Sequence, residues 1–281
     1  MSSNHLTVAP IAGACGAEVL GVDLSQNLDD GTIGDVRSAL LDHGVIFFRD
    51  QTLDHEQHKR LARRFGEIFV HPNFKGLGAD PEIVEIRRNP SDTAIVGEDW
   101  HCDTTMMAEP PMGAILYGVE VPPYGGDTQF ASMCHAYDAL SDGMKSLLAG
   151  MRAVHTDTMV AGPNANRNSR RTTKVREDAD WTPTVNLHPV VRTHPETGRK
   201  SLFVNRAYVQ TFEGMTEDES RPLLQFLFRH GERPEFTCRF RWRDGSVAFW
   251  DNRQTHHIAV NDAGPHFRHV RRVQIAGCRP V

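Results

Sequence analysis

Apolar residues recur at three- and four-residue intervals in DDGTIGDVRSALLDHG, where Ile33, Val36 and Leu40 share one face and Gly44 ends the run. That spacing predicts an amphipathic helix. Directly after it, VIFFRD is a short apolar run of strand composition. DHEQHKRLARRFGE follows, opening with a capping-box pair, Asp54 and Gln57, and closing at Gly66, so a second helix is expected. From Ala114 onward the pattern shortens to alternation. GAILYGVEV and DTQFAS, separated by PPYGG, predict two strands joined by a turn. HPVVRTHPETGRKSLFVN predicts a hairpin around residues 196–198, and MTEDESRPLLQFLFRHG a helix capped by Thr216 with Glu219 three residues on. FTCRFRWRDGSVAFWDN and FRHVRRVQIAG alternate as strands again. Residues 160–183 are polar, rich in Asn and Arg and without a period, which predicts a long, mobile loop of the kind that closes over a site. No repeat or linker interrupts the pattern, so residues 1–281 are expected to form one mixed, β-rich domain, a sandwich or barrel with helices outside.

Composition narrows the class. With 281 residues and 39% apolar content the chain can bury an ordinary core, and it contains no run of 18 apolar residues that would span a bilayer. MSSNHLTVAP lacks the basic and apolar regions of a secretory signal, so a soluble cytoplasmic protein is expected. Cys15, Cys102, Cys134, Cys238 and Cys278 are scattered and form no CxxC pair, which argues for reduced thiols over a disulfide framework or zinc knuckle. Cys102 and Cys134 are expected as small buried apolar groups, and Trp100 and Trp250 as packing residues. A net charge of -5 gives no general attraction to nucleic acid or anionic membrane, so the cluster RHVRR at 268–272 needs a local explanation.

WHCDTT supplies the candidate chemistry. In an extended segment residues two apart face the same way, so His101 and Asp103 can present an imidazole and a carboxylate together while Cys102 points away. Two histidines and one carboxylate on one face of a metal is the ligand set of non-haem Fe(II) oxygenases, so a distant second histidine is the thing to seek. FWDNRQTHHIAVNDAGPHFRHVRR offers His256, His257, His266 and His269, and composition alone does not rank them. Arg268 and Arg272, four apart in a strand-like run, fall on the same face about 13 Å apart at roughly 3.3 Å per residue. Facing an interior they would need an anion, and a guanidinium fork suits a carboxylate or sulfonate. Arg271 and His269, of opposite parity, are expected toward solvent or an interface.

Taken together, GAEVLGVDL, HGVIFFRDQ, RRFGE, the W-H-x-D block at Trp100 to Asp103, PPYGGDTQF, AYDALS, THPETGRKSLFVN and WDNRQTHH resemble the taurine dioxygenase and 2,4-dichlorophenoxyacetate dioxygenase family of Fe(II)/2-oxoglutarate-dependent oxygenases. These blocks span nearly the whole chain, and THPETGRKSLFVN and EGMTEDES look most like the branch acting on aryloxyalkanoates. The resemblance implies a double-stranded β-helix, or jelly-roll, core with flanking helices. It implies that His101, Asp103 and His257 hold the iron, His256 falling in a variable slot, and that Thr128 and Arg268 bind the distal carboxylate of 2-oxoglutarate. Arg272 matches an arginine that faces the substrate's acidic group, and His71 a substrate-side histidine. Two matches to the taurine enzyme fail: Phe74 stands where a tyrosine is expected and Gly97 where an asparagine is. The loss of a hydroxyl and an amide implies a larger or more apolar acid.

The activity so implied uses Fe(II), 2-oxoglutarate and O2 to hydroxylate a small anion such as an aryloxyalkanoate, sulfonate or sulfate ester, with release of succinate and CO2. Where the hydroxylated carbon also bears an ether or sulfate oxygen, the product falls apart. Small-molecule anions are therefore the expected partners, nucleic acid and membrane are not, and a homo-oligomer remains open. The alternative is a non-catalytic, cupin-like metal-binding protein, which would have no use for Thr128, Arg268 and Arg272 beside three ligands.

Overall fold

The computed structural model describes residues 6–74, 76, 80–162, 166–175 and 180–281. The chain begins with β1 (Thr7–Pro10) and β2 (Ala17–Leu20), then α1 (Asp30–His43), β3 (Val45–Phe48), α2 (His55–Arg63), β4 (Ile68–Phe69) and β5 (Val84–Arg88). β6 (Gly113–Glu120) and β7 (Thr128–Ser132) lead into α3 (Met133–Asp138), α4 (Asp142–Leu148) and β8 (Arg152–Thr156). Beyond a 3-10 turn at Asn166–Arg170 come β9 (Val185–Pro189), β10 (Val191–Thr193), β11 (Lys200–Leu202), β12 (Val209–Phe212) and α5 (Glu217–Gly231). β13 (Thr237–Phe240), β14 (Val247–Asp251), β15 (Thr255–Ala259) and β16 (Arg268–Ile275) complete the order.

The local signals act as expected. Asp29 caps α1 by accepting from Thr32 N, while Gly44, at φ +73, closes its far end onto Leu40 O. Asp54 with Gln57, and Thr216 with Glu219, form complete capping boxes on α2 and α5. α2 ends at Arg63, short of Gly66, because Arg64 N and Phe65 N turn back to the carbonyls three residues earlier and tighten the last turn.

An eight-stranded sheet runs β1-β2-β3-β14-β6-β16-β4, with β5 also paired to β16, and the three-stranded sheet β13-β7-β15 is the second layer. The VIFF run is apolar throughout because both faces of the large sheet are covered. Ile46 and Phe48 join Val36, Leu40, Leu61, Phe249 and Val273 in a core shared with α1 and α2. Val45 and Phe47 turn the other way and meet Phe130, Phe240, Trp250 and Val270 between the sheets. This is the jelly-roll sandwich. β6 and β7 are not hairpin partners: β6 pairs with β14 and β16, whereas β7 pairs with β13 and β15. The PPYGG segment therefore carries the chain from one sheet to the other, a difference that turn composition does not encode.

β16 keeps the expected parity. Arg272 shares the inner face with Val270, while Arg271 and His269 face outward. Neither outward residue is left to solvent alone: Arg271 donates to Leu53 O and lies over the Tyr117 ring, and His269 meets Glu85 at 3.2 Å.

A buried ionic chain clamps the turn between β14 and β15. Asp251, fully buried, accepts from Arg253 Nε (2.8 Å), Arg253 Nη2 (2.7 Å) and His194 Nε2 (3.0 Å). Arg253 continues to Glu196, and Glu196 to Arg37 of α1. The hairpin residues His194 and Glu196 are thus tied to the turn that begins the β15 strand. Burial alone would raise the Asp251 carboxyl, but the bonds from Arg253 and then His194 outweigh it and hold it well below the ordinary carboxylate range. A folded-state value below the unfolded one contributes stability above about pH 4 that is lost as the pH falls further. Asp251→Asn should cost about 3 kcal/mol, by leaving the buried Arg253 with Glu196 as its one carboxylate partner among the described residues, and should flatten the acid limb of stability against pH. Urea unfolding from pH 3 to 7 measures both; an unchanged acid limb would remove Asp251 from this role.

Candidate functional site

β15 lies antiparallel beside β7 with His257 opposite Phe130, so its imidazole points between the sheets, ring centroids 5.8 Å from Phe130 and 4.7 Å from Trp250. His101 pairs with His257 in an isolated antiparallel bridge. Its N donates to His257 O at 2.9 Å and its O accepts from His257 N at 2.7 Å. The rings are consequently held 4.1 Å apart. Cys102 points away, its Sγ against Asn252 O at 3.0 Å, and Asp103 returns to the side of His101. Thr104 then turns the chain at φ +44. The ligand atoms of His101, Asp103 and His257 lie within 4.8 Å of one another, all three residues buried. His256 faces the opposite way, beside Asn205, Leu227 and Phe228. His266 packs against Tyr124 and His269 against Glu85, so neither enters the cluster.

The three side chains fit a divalent ion. His101 Nδ1 lies 2.7 Å from Asp99 O, which requires its proton there and leaves the Nε2 lone pair for a metal. Burial first of all lowers the pKa of His101 and lowers that of His257 well below the usual histidine value, keeping both neutral. Burial opposes ionisation of Asp103, yet the Arg272 guanidinium beside it overcomes this and holds its carboxyl at about 2. Two neutral imidazoles and an ionised carboxylate are the protonation states that ligation needs. Asp103 is also steered: Arg272 Nη1 donates to Oδ1 at 2.9 Å, and Trp250 Nε1 and Asn252 Nδ2 each donate to Oδ2 at 3.2 Å. Trp250 is thus more than a packing residue.

Two cavities flank the cluster. One, of about 610 Å³, is lined by His101, Asp103, His71, Phe74, Gly97 and Arg272 together with Tyr208, Ala207 and Val160. Arg272 Nε and Nη2 are buried there without a partner among the described residues, and its guanidinium lies 5.7 Å from the Phe74 ring centre. His71 Nδ1 accepts from Asn73 N at 3.0 Å, so the proton sits on Nε2. The second, of about 400 Å³, is lined by Arg268, Arg88, Ala94, Gly126 and Ala259, and shares Val96 and Arg171 with the first. Burial, and then Arg88 nearby, lowers Arg268 to about 10. Thr128, opposite Ala259 on β7, is linked to Arg268 through Trp242.

Gly97 carries more than a missing side chain. Its φ is +81, its O accepts from Ala259 N at 2.8 Å, and a Cβ there would meet His101 Cε1 at 3.0 Å. The described part of the 160–183 segment is docked onto the strand and loop at 87–99. Arg170 O accepts from Thr93 N and Ala94 N, Thr172 bonds Asp92, Thr173 bonds Arg87, and Arg167 pairs with Asp99 at 2.7 Å and with Glu98 at 3.4 Å. Residues 163–165 and 176–179 of that expected lid lie outside the described residues. The sequence assigns Trp250 only to packing and gives no sign of Asn252, Tyr208 or Trp242, although Asn252 and Trp250 sit inside the WDNRQTHH block. Trp250, Asn252 and Trp242 each bond a residue far away in sequence, which only the folded chain shows.

A family model described as taurine catabolism dioxygenase TauD, TfdA family matches residues 7–274. The chain is 36% identical to an alpha-ketoglutarate-dependent sulfate ester dioxygenase of Pseudomonas putida, over 99% of this chain and 91% of that protein. It is 34% identical to an alkylsulfatase of Acinetobacter baylyi, over 98% and 86%. An alpha-ketoglutarate-dependent 2,4-dichlorophenoxyacetate dioxygenase of Cupriavidus pinatubonensis is 31% identical over 87% and 88%. Over most of the chain, identity to the sulfate ester dioxygenase and the alkylsulfatase is thus a few points above that to the 2,4-dichlorophenoxyacetate enzyme. Among solved structures, a taurine dioxygenase from Burkholderia xenovorans superposes with a TM-score of 0.82 at 38% identity, covering 98% of this chain and 91% of that one.

Gly97→Ala tests the tight approach to His101. The strained φ should cost on the order of 1–3 kcal/mol and the displaced imidazole should weaken Mn(II) binding roughly tenfold. Calorimetric titration with Mn(II) and a thermal melt read both effects; an alanine variant equal to the parent in each would contradict the geometry.

Proposed function

Because the chain belongs to the taurine catabolism dioxygenase TauD, TfdA family, we propose that its buried triad holds the iron and that the larger cavity takes an amphiphilic sulfate ester. The class itself follows from the family: a dioxygenase dependent on Fe(II), 2-oxoglutarate and O2. Proposed here are the residues and the substrate. His101, Asp103 and His257 are the metal ligands, and Thr128 with Arg268 binds the distal carboxylate of 2-oxoglutarate. When bound, Fe(II) and 2-oxoglutarate supply activation of O2, with one oxygen leaving in succinate and the other entering a substrate C–H bond.

The observation that carries the substrate reading is Arg272, whose Nε and Nη2 are buried without partners among the described residues, in the cavity that contains Asp103 and His101. Two N–H donors of a guanidinium, and the Nε2–H of His71, suit the oxygens of a tetrahedral anion. His71 stays neutral because burial and then Arg272 lower its pKa well below the usual value, so it donates without adding charge. Phe74, Val96, Val160, Val175 and Ala207 offer apolar wall for a hydrocarbon portion. Arg167 and its partners Asp99 and Glu98 cover this space and limit water. Hydroxylation of the carbon bearing the ester oxygen gives a hemiacetal sulfate, which splits into an aldehyde and sulfate. The two relatives named for sulfate esters support this choice over a sulfonate or an aryloxyalkanoate. The five free cysteines suit a cytoplasmic enzyme, and we treat residues 1–281 as one catalytic domain.

Turnover with Fe(II), ascorbate, 2-oxoglutarate and O2 should yield succinate and sulfate in equal amounts with a medium-chain alkyl sulfate, and little succinate with taurine. Succinate formation driven only by aryloxyalkanoates would replace the sulfate-ester assignment, and none with any acid would sink it. In separate variants, His257→Ala should abolish stoichiometric Mn(II) binding while His256→Ala retains it. The reverse pattern would refute the ligand set.

A further inference from the structure

We infer that Trp242 is a positioning residue for the 2-oxoglutarate subsite: its one indole N–H makes the Thr128 hydroxyl an obligate donor to a distal carboxylate, selecting a dicarboxylic 2-oxo acid. The inference rests on the assignment of Thr128 and Arg268 proposed above. Trp242 is buried at 3% exposure in the segment after β13, and its Nε1 lies 3.0 Å from Thr128 Oγ1. An indole N–H donates and never accepts, so Thr128 Oγ1 must be the acceptor in this contact. The hydroxyl proton is thereby turned away from the indole. Thr128 is itself 4% exposed, and no acceptor for its O–H is present among the described residues. A buried donor left in that state costs free energy until an acceptor arrives.

The same ring flanks the charge that would meet that acceptor. Arg268 Cζ lies 5.6 Å from the Trp242 ring centre, and Arg268 Nε is buried with no partner among the described residues. Gly118 on β6 leaves the room, since a Cβ there would come within 3.3 Å of Trp242 Cε3. Phe240 holds the indole edge-on at 5.0 Å. One side chain thus lies against both a neutral donor and a cationic donor. A carboxylate can accept from both at once. A 2-oxo acid without a second carboxylate reaches neither, so its affinity is indifferent to Trp242.

Trp242→Phe keeps an aromatic ring beside Arg268 but removes the N–H. With Mn(II)-loaded protein under anaerobic conditions, calorimetry should show the Kd for N-oxalylglycine and 2-oxoglutarate rising about fivefold to tenfold, the loss of roughly one hydrogen bond's worth of orientation. The Kd for pyruvate and for Mn(II) should stay unchanged. In a Thr128→Val background the Trp242→Phe effect should vanish, as a double-mutant cycle requires of a residue acting through Thr128. Should Trp242→Phe not fold, benzothienylalanine at position 242, which exchanges the N–H for sulfur in a ring of the same shape, makes the same measurement. Equal weakening of pyruvate and 2-oxoglutarate, no weakening of either, or full persistence of the effect in the Thr128→Val background would overturn the inference. Failure of the parent protein to bind 2-oxoglutarate at all would instead overturn the assignment on which it rests, before any variant is made.

Discussion

Two backbone hydrogen bonds, His101 N to His257 O and His257 N to His101 O, decide what the interior of this sandwich can do. They fasten an extended segment from the first half of the chain to the edge of β15, and so fix two imidazoles side by side at a depth no loop could hold. The position of the Asp103 carboxylate, two residues on, then follows from strand geometry. Much of the surrounding structure keeps that pairing in place. β7 holds β15 from its other side, Asn252 and Trp250 aim Asp103, and the chain Arg37–Glu196–Arg253–Asp251–His194 fastens the turn from which β15 starts.

This arrangement buries charge that the protein alone does not balance. Asp103 is matched by Arg272, but among the described residues Arg272 keeps two unpartnered N–H groups, and Arg268 faces Arg88 across β16 and β5 with its own Nε unpartnered. Like charges opposite one another in a sheet repel, and burial sharpens the cost. The apolar layers on both faces of the large sheet supply the stability that tolerates it. A site left in this condition is ready for a divalent cation at Asp103 and for anions at Arg268 and Arg272. The positions of the donors before ligands arrive spare the reorganisation that binding would otherwise require.

Legibility in the sequence followed the range of the interaction. α1, α2 and α5 were readable because period and cap lie within a few residues, and β3 because a short apolar run beside a helix has few other uses. The i, i+2 logic of His101 and Asp103 and the inner parity of Arg268 and Arg272 were equally local. The sheet change between β6 and β7 was not, because PPYGG has the composition of any tight turn. Choosing His257 from four histidines needed the family's block spacing, since adjacent strand residues differ only in which face they reach. Gly97 read as an absence, whereas its positive φ and the nearness of His101 make it a requirement. Asn252, Trp250 and Trp242 act through single hydrogen bonds to residues distant in sequence, and a pattern along the chain contains no trace of such bonds.

If the proposed ligand set holds, the His101–His257 pairing builds one metal site whose occupancy completes the neighbouring anion site. The direct measurement is sequential anaerobic calorimetry: Fe(II) into the apo protein, then 2-oxoglutarate into the apo and the Fe(II)-loaded protein. One Fe(II) per chain is expected, and 2-oxoglutarate binding that is at least tenfold tighter, about 1.4 kcal/mol, once the metal is present. Absence of a stoichiometric Fe(II) site, or 2-oxoglutarate affinity indifferent to the metal, would contradict it.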